Sequence, residues 1–146
     1  WQIPDRRRFR ALKLWFVIRI YGVQGIQNHV RTHISLAKHF QDLVNADSRF
    51  EVVTANLGVI CFKLLHSEDA SKQILEKIAQ RKKIYIMPYY YQEQLLFRFV
   101  ICSRFTTIED IDYSWNEIAT QTSDVLSKLD EAIPIINNGS SYDNRI

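Results

Sequence analysis

The sequence has few of the residues that interrupt or cross-link a chain. It contains four glycines, three prolines and two cysteines in 146 residues. The scarcity of glycine and proline excludes a collagen-like chain and predicts continuous helices and strands joined by short turns. Two cysteines are too few for a disulfide scaffold. Because Cys61 and Cys102 both lie inside apolar runs, we expect them to be small core side chains in a reducing compartment.

The sequence also lacks long apolar runs. None approaches the ~18 residues that a membrane-spanning helix needs. The first ten residues, WQIPDRRRFR, place their arginines after an apolar start and show no small-residue cleavage pattern, so they do not read as a signal peptide. We therefore expect a cytoplasmic chain that has no membrane partner.

Charge of one sign is nearly balanced by the other. Nineteen basic residues against sixteen acidic ones give a net charge of +3. The excess is local, since five basic residues fall within eight positions: Arg6, Arg7, Arg8, Arg10 and Lys13. Such a cluster can bind phosphate groups or nucleic acid, but it is more often a solvated face or a seam to another domain.

Apolar spacing predicts two consecutive helices. The first begins near Arg8 and is apolar nearly all round, which is typical of a helix that is buried on several sides. The second runs from Val23 to Ala46 with apolar residues every three or four positions, and Gly22 is expected to break or bend the junction. We expect a chain of this size to be too small to bury the first helix by itself.

The remaining pattern predicts an α+β fold. Strands are expected at 50–54, 57–65, 83–88 and 94–103, with Tyr89–Tyr91 in a loop or hairpin. Helices are expected after the caps Ser67 and Thr106 or Thr107, the latter with Glu109 or Asp110 as a capping box. The order α-α-β-β-α-β-β-α favours a four-stranded, at least partly antiparallel sheet with helices packed on one face.

No complete catalytic or metal-binding group emerges from the residues. His29 and His33 share a helix face, as zinc ligands would, but a solvated helix surface is the favoured interpretation because no HExxH glutamate accompanies them. Asp110 and Asp112 are interpreted as first-turn acids that complement the helix dipole. Cys61 is at most a weak candidate nucleophile, since an apolar environment raises a thiol pKa.

Several segments nevertheless resemble one enzyme family. RRFRALKLWF, DSRFEV, LGVICFKL, RKKIYIMP and LLFRFVICSRFT are similar to the C-terminal portion of pyridoxal-phosphate-dependent group II amino-acid decarboxylases, nearest the aromatic-amino-acid (DOPA, tyrosine, histidine) decarboxylases of animals. The similarity covers nearly everything from Trp1 to about Leu129. It implies the small C-terminal domain of a fold-type I pyridoxal phosphate enzyme.

The resemblance implies where the chemistry lies. The Schiff-base lysine and the other pyridoxal phosphate ligands of the family lie upstream, so no catalytic, cofactor-binding or metal residue is assigned in this chain. Residues 1–12 would end the large cofactor domain and start the linking helix, 13–132 would form the small domain, and 133–146 a flexible tail. The implied partners are the large-domain part of the same enzyme, a second subunit in a homodimer, and a small amino-acid substrate, with no nucleic acid.

One departure from the family falls at Asp5 and Arg6. Relatives usually carry Leu and then Gly or Ser there, at the distal end of the substrate side-chain pocket, so the resemblance makes Asp5 and Arg6 candidate substrate-binding residues. Arg6 either turns outward, leaving an ordinary aromatic pocket, or makes the pocket smaller and more polar. An ion pair between the two residues is a further option.

Two other functions stay open at this point. Within the family, an aldehyde synthase combines decarboxylation with oxidative deamination, and the residues that separate the two activities lie upstream. Outside the family, the chain could be a stand-alone α+β module whose basic N-terminus binds an anionic partner or nucleic acid. That module would have to cover Trp1, Ile3 and the first helix within 146 residues.

Overall fold

The computed structural model describes residues 9–132. Within them the elements are α1 (Arg10–Ala46), β1 (Phe50–Asn56), β2 (Val59–Leu64), α2 (Glu68–Arg81), β3 (Met87–Tyr91), β4 (Gln94–Val100) and α3 (Ile108–Ala132). The order expected from the sequence is confirmed. Its first two helices form one element, α1, that is interrupted at Gly22 by a non-helical backbone conformation.

The four strands form one antiparallel sheet in the order β1-β2-β4-β3. The β1–β2 hairpin pairs Phe50 with Leu64 at one end and Asn56 with Val59 at the other, with a register shift between Val52 and Thr54. A hairpin needs only a short turn between antiparallel strands, and Leu57 and Gly58 provide it. The expected fold class, an α+β sandwich of helices on a sheet, is confirmed.

Aromatic side chains form the centre of the core between the sheet and the helices. Phe40 of α1 is fully buried and stacks on Phe99 with ring centroids 4.1 Å apart. It also meets Phe62 and Trp115 edge-on at 5.7 and 5.8 Å. Because removing a buried phenylalanine costs about 3–5 kcal/mol, this cluster holds the second half of α1 firmly against the sheet and α3.

Two of the expected helix caps are present. The Ser67 hydroxyl accepts a hydrogen bond from the Ala70 amide at 3.3 Å. At α3, the Thr107 amide donates to the Asp110 carboxylate at 2.9 Å, and the Asp110 amide donates to the Thr107 hydroxyl at 3.4 Å. These reciprocal bonds satisfy amides that the helix itself leaves unpaired, so the predicted capping box is confirmed.

The third strand lies later in the chain than expected. The prediction of a strand at 83–88 is wrong, because β3 comprises Met87–Tyr91 and includes the three tyrosines. The turn that follows is made by Gln92 and Glu93, both with positive φ. β3 is an edge strand, where Pro88 is tolerated because its missing amide needs no sheet partner.

The two cysteines have different environments. Cys61 is buried in β2, as expected, but Cys102 is exposed, so its assignment to the core is wrong. β4 ends at Val100, and the chain has left the sheet by the time it reaches Cys102. Among residues 9–132 no helix is both long and apolar enough to cross a membrane.

A candidate interface on the first helix

The first part of α1 exposes an unusual amount of apolar surface. We call residues 9–23 the apolar segment. Its large apolar side chains are between 41 and 72 % exposed: Phe9, Leu12, Leu14, Trp15, Phe16, Val17, Ile18, Ile20, Tyr21 and Val23. Large contiguous apolar surfaces of this kind mark interaction sites. The burial on several sides that the sequence predicts is therefore not supplied by residues 9–132.

The same surface continues past the kink. Val23, Ile26, Val30 and Ile34 belong to the apolar stripe that the sequence predicts, yet all four are 38–70 % exposed. Burial begins only at Leu36 and continues through Phe40 to Val44. The stripe is thus covered by the sheet and α3 in its last third alone.

Charge on α1 is of one sign over most of its length. Between residues 10 and 41 the basic side chains are Arg10, Lys13, Arg19, Arg31 and Lys38, and no acidic residue occurs before Asp42. An apolar surface with an uncompensated positive border is complementary to an apolar surface that carries acidic groups.

Gly22 divides α1 into two differently directed parts. Its backbone has φ 62° and ψ 178°, a combination that is essentially restricted to glycine. A Cβ placed on Gly22 would meet no atom within 4 Å, so backbone conformation, and not crowding, requires glycine here. The break that the sequence predicts at Gly22 is confirmed.

The loop between β4 and α3 braces α1 on both sides of the kink. Arg104 donates a hydrogen bond to the Tyr21 hydroxyl, just before Gly22. His33, beyond the kink, contacts the Ser103 carbonyl oxygen through Nε2 at 3.1 Å. The loop therefore fixes the direction in which the apolar segment leaves the domain.

A cavity of about 420 Å³ lies between α1 and this loop. It is lined by Val17, Tyr21, Gly25, Ile26, His29, Cys102 and Arg104. Its size and its mixture of apolar walls with a few polar groups are typical of clefts that receive a ligand or a partner side chain. Since Val17 and Tyr21 also belong to the apolar segment, the cavity and that segment form one continuous surface.

The candidate histidines do not form a metal site. The His29 and His33 rings lie 4.1 Å apart, but within the described part of the chain no group of three possible metal ligands comes together. His39 contacts the Asp112 carboxylate at 2.6 Å and joins α1 to α3. That pair was missed because its members are 73 positions apart, and no local signal connects them.

Four lysines of the described residues are engaged in ion pairs that do not suit the attachment of pyridoxal phosphate. Lys63, Lys72, Lys77 and Lys83 are each within 4 Å of a carboxylate oxygen. The hydrogen bond that Lys72 donates to the Glu68 carboxylate raises the pKa of Lys72, whereas a lysine that forms a Schiff base must be able to lose its proton. These four lysines therefore do not fit the cofactor's attachment site.

The two candidate substrate-binding residues fall outside the part of the chain that the structure describes. Asp5 and Arg6 are outside the described residues, as are the proposed tail 133–146 and most of the segment 1–12. The tyrosines of β3, Tyr89–Tyr91, are exposed by 44–57 %.

Comparisons with known proteins identify the family. The model of the pyridoxal-dependent decarboxylase conserved domain matches residues 1–65. The aromatic-L-amino-acid decarboxylase of Drosophila melanogaster is 46 % identical over 86 % of this chain and 25 % of its own length. The 3,4-dihydroxyphenylacetaldehyde synthase of Aedes aegypti is 45 % identical over 90 % of this chain and 25 % of its own length.

Solved structures agree with the sequence comparison. The tryptophan decarboxylase of Catharanthus roseus, in complex with L-tryptophan, has a TM-score of 0.77 and 32 % identity, over 82 % of this chain and 26 % of its own. The 4-hydroxyphenylacetaldehyde synthase of Rhodiola rosea has a TM-score of 0.77 and 32 % identity, over 85 % of this chain and 28 % of its own. This chain thus spans about a quarter of the length of its relatives and is similar to the C-terminal part of the pyridoxal-dependent decarboxylase family.

Proposed function

We propose that this chain is the C-terminal domain of a pyridoxal-phosphate-dependent decarboxylase that converts an aromatic L-amino acid to its amine. The relatives at 46 % identity include aromatic-L-amino-acid decarboxylases, and a tryptophan decarboxylase shares the fold. The cofactor and the catalytic groups would belong to the remaining three-quarters of the enzyme.

The exposed apolar segment is the observation that carries this assignment to a part of a larger enzyme. A chain that folds around its own core but leaves residues such as Trp15, Phe16 and Ile20 in water is built to pack against something else. Under the proposal, residues 1–12 end the large domain, 13–132 form the small domain, and 133–146 form the tail. The large domain would cover the apolar segment within a homodimer.

The product formed by the full-length protein tests the proposal. Incubated with pyridoxal phosphate and DOPA, tyrosine or tryptophan, it should release one carbon dioxide and one amine per substrate. An aldehyde synthase would instead consume oxygen and water and yield an aldehyde, carbon dioxide, ammonia and hydrogen peroxide. Relatives with either name have nearly equal identity to this chain, so the product, and not the degree of similarity, separates the two activities.

Asp5 and Arg6 are proposed to influence which substrate is used. An arginine buried without a partner is costly, so Arg6 would pair with a carboxylate such as Asp5 or reach solvent. If Arg6 points into the pocket, its donors would favour substrates with polar groups at the far end of the ring. Their effect would therefore appear as discrimination between substrates.

The double variant Asp5→Leu with Arg6→Gly in the full-length enzyme separates these options. Selection by the two residues should change the ratios of kcat/KM for DOPA, tyrosine and phenylalanine by about tenfold or more, which corresponds to ~1.4 kcal/mol. An equal change for all three substrates, or no change, would remove Asp5 and Arg6 from the substrate site.

A stand-alone module that binds anions or nucleic acid is not favoured. The apolar segment has no cover within residues 9–132, and the relatives found are enzymes several times longer than this chain. The basic residues of α1 are better explained as the border of an interface with a neighbouring domain.

A further inference from the structure

Two neighbouring cavities meet along the kinked part of α1. The cavity of about 420 Å³ shares four lining residues with a second one of about 390 Å³: Tyr21, Gly25, His29 and Arg104. The second is lined in addition by Asn28, Thr32, His33, Phe105 and Thr106. Apolar walls and basic side chains thus line a continuous depression, and neither cavity is lined by an aspartate or a glutamate.

Arg104 is the charged group at the junction of the two cavities. Its guanidinium lies 4.5 Å from the centre of the Phe105 ring and gives one hydrogen bond to Tyr21. Among residues 9–132 no carboxylate oxygen lies within 4 Å of it, whereas seven other basic side chains there have such a contact. A guanidinium carries five donors arranged to hold a carboxylate, so Arg104 keeps unused donors at the mouth of an apolar cleft.

We propose that this depression is a socket for an apolar side chain that adjoins an aspartate or glutamate, and that Arg104 pairs with that carboxylate. The socket comprises Val17, Tyr21, Ile26 and Arg104. The occupant is a segment of the same protein outside these 146 residues. This inference rests on the proposed function, because it is the longer enzyme that provides the occupant.

The extent of the exposed apolar surface supports an occupant from outside these 146 residues. The exposed apolar side chains run from Phe9 to Ile34, which at 1.5 Å per helical residue is roughly 38 Å measured along the kinked helix axis. The relatives carry about three-quarters of their length outside the region matched here. The absence of acidic residues on α1 before Asp42 adds charge complementarity, since an acidic partner would meet no repulsion along this surface.

Photo-cross-linking from inside the socket identifies the occupant. Ile26, which lines the cavity without a polar contact of its own, would be replaced by p-benzoylphenylalanine in the full-length protein. Mass spectrometry of the illuminated sample should find the cross-link on a peptide from outside the 146 residues, within a few positions of an aspartate or glutamate. A cross-link to residues 1–146 of the same or a second copy, to a peptide without an acid, or to nothing would overturn the proposal.

Substitution of Arg104 tests the charge pair. Arg104→Gln should lower the cross-linking yield by about tenfold or more, because it removes a charge-assisted hydrogen bond. Lys128→Gln is the matched control, since it removes the same charge from an exposed position of α3, outside both α1 and the socket, and it should leave the yield unchanged. Arg104→Glu combined with a lysine at the acid identified by cross-linking should restore the yield. Equal yields in both glutamine variants, or no restoration, would contradict the role of Arg104.

The cross-linking result and the enzyme's activity can fail separately. Amine formation by the unmodified full-length protein tests the proposed function and does not depend on Arg104. If the protein forms the amine but Ile26 cross-links to a second copy of this domain, the socket is wrong and the function stands. If it forms no amine but cross-links to an acidic outside segment, the function is wrong and the socket stands as a domain interface.

Discussion

Replacing Gly22 by alanine in the full-length protein tests whether the kink of α1 persists against the preference of alanine for a regular helix. Gly22 has φ 62° and ψ 178°, and an alanine held in such a conformation costs about 1–3 kcal/mol. A regular helix would instead gain about 1 kcal/mol from the same change. Straightening would, however, swing the apolar segment away from its partner and break the hydrogen bond between Tyr21 and Arg104.

The expected result is a kink that persists at the expense of stability. The free energy of unfolding of Gly22→Ala should fall by about 2 kcal/mol, because no clash with a neighbouring atom adds to the backbone strain. Spin labels at positions 13 and 38 should report an unchanged distance. A straightened helix would place these positions about 38 Å apart at 1.5 Å per residue, farther than a kinked helix allows.

Gln27→Ala is the matched control for this measurement. Gln27 is exposed on the same helix and needs no special backbone conformation, so the free energy of unfolding should change by less than about 0.5 kcal/mol. A Gly22→Ala protein with unchanged stability and activity and a distance near that of a straight helix would refute the idea that the loop between β4 and α3 holds the kink.

Three further outcomes follow from the described contacts. Gly58→Ala should lower the free energy of unfolding by about 1–3 kcal/mol in chemical denaturation, because its Cβ would lie 2.6 Å from the Ile101 carbonyl oxygen; an unchanged value would show that this contact is easily relieved. Hydrogen bonds from Arg49 lower the pKa of Asp47, so Asp47→Asn should cost about 1 kcal/mol near pH 7. That cost should disappear as the pH falls from about 4 through the lowered folded-state pKa, and a pH-independent cost would contradict the pair. The 146-residue chain alone should bind a dye such as ANS and form no borohydride-reducible aldimine with pyridoxal phosphate. A stoichiometric, borohydride-reducible adduct on one of its own lysines would contradict this expectation.

The parts of the fold that depend on local signals could be predicted from the sequence. The stripe through Ala37, Phe40 and Val44, the break at Gly22 and the cap at Ser67 each rest on residues within a few positions of one another. All of these predictions are confirmed. The third strand lies later in the chain than its apolar pattern indicated, because the residues that pair with Gln94–Val100 at the edge of the sheet are Met87–Tyr91.

The candidate interface could be predicted only in part. The sequence showed that the first helix is apolar nearly all round and needs more cover than this chain provides. The structure shows the surface of that helix exposed. The contacts that shape the cavity join residues far apart in sequence, such as Tyr21 with Arg104 and His33 with Ser103. No periodicity or spacing signals such contacts, and the same holds for the pairing of His39 with Asp112.

Amide hydrogen exchange in the full-length protein tests most directly whether the exposed half of α1 is an interface. If the large domain covers residues 10–26, their amides should exchange at least about a hundredfold more slowly in the full-length enzyme than in the 146-residue chain, while amides around Phe40 should differ little. Equal exchange of residues 10–26 in the two proteins would contradict the account, because the apolar segment would then remain in water in the complete enzyme.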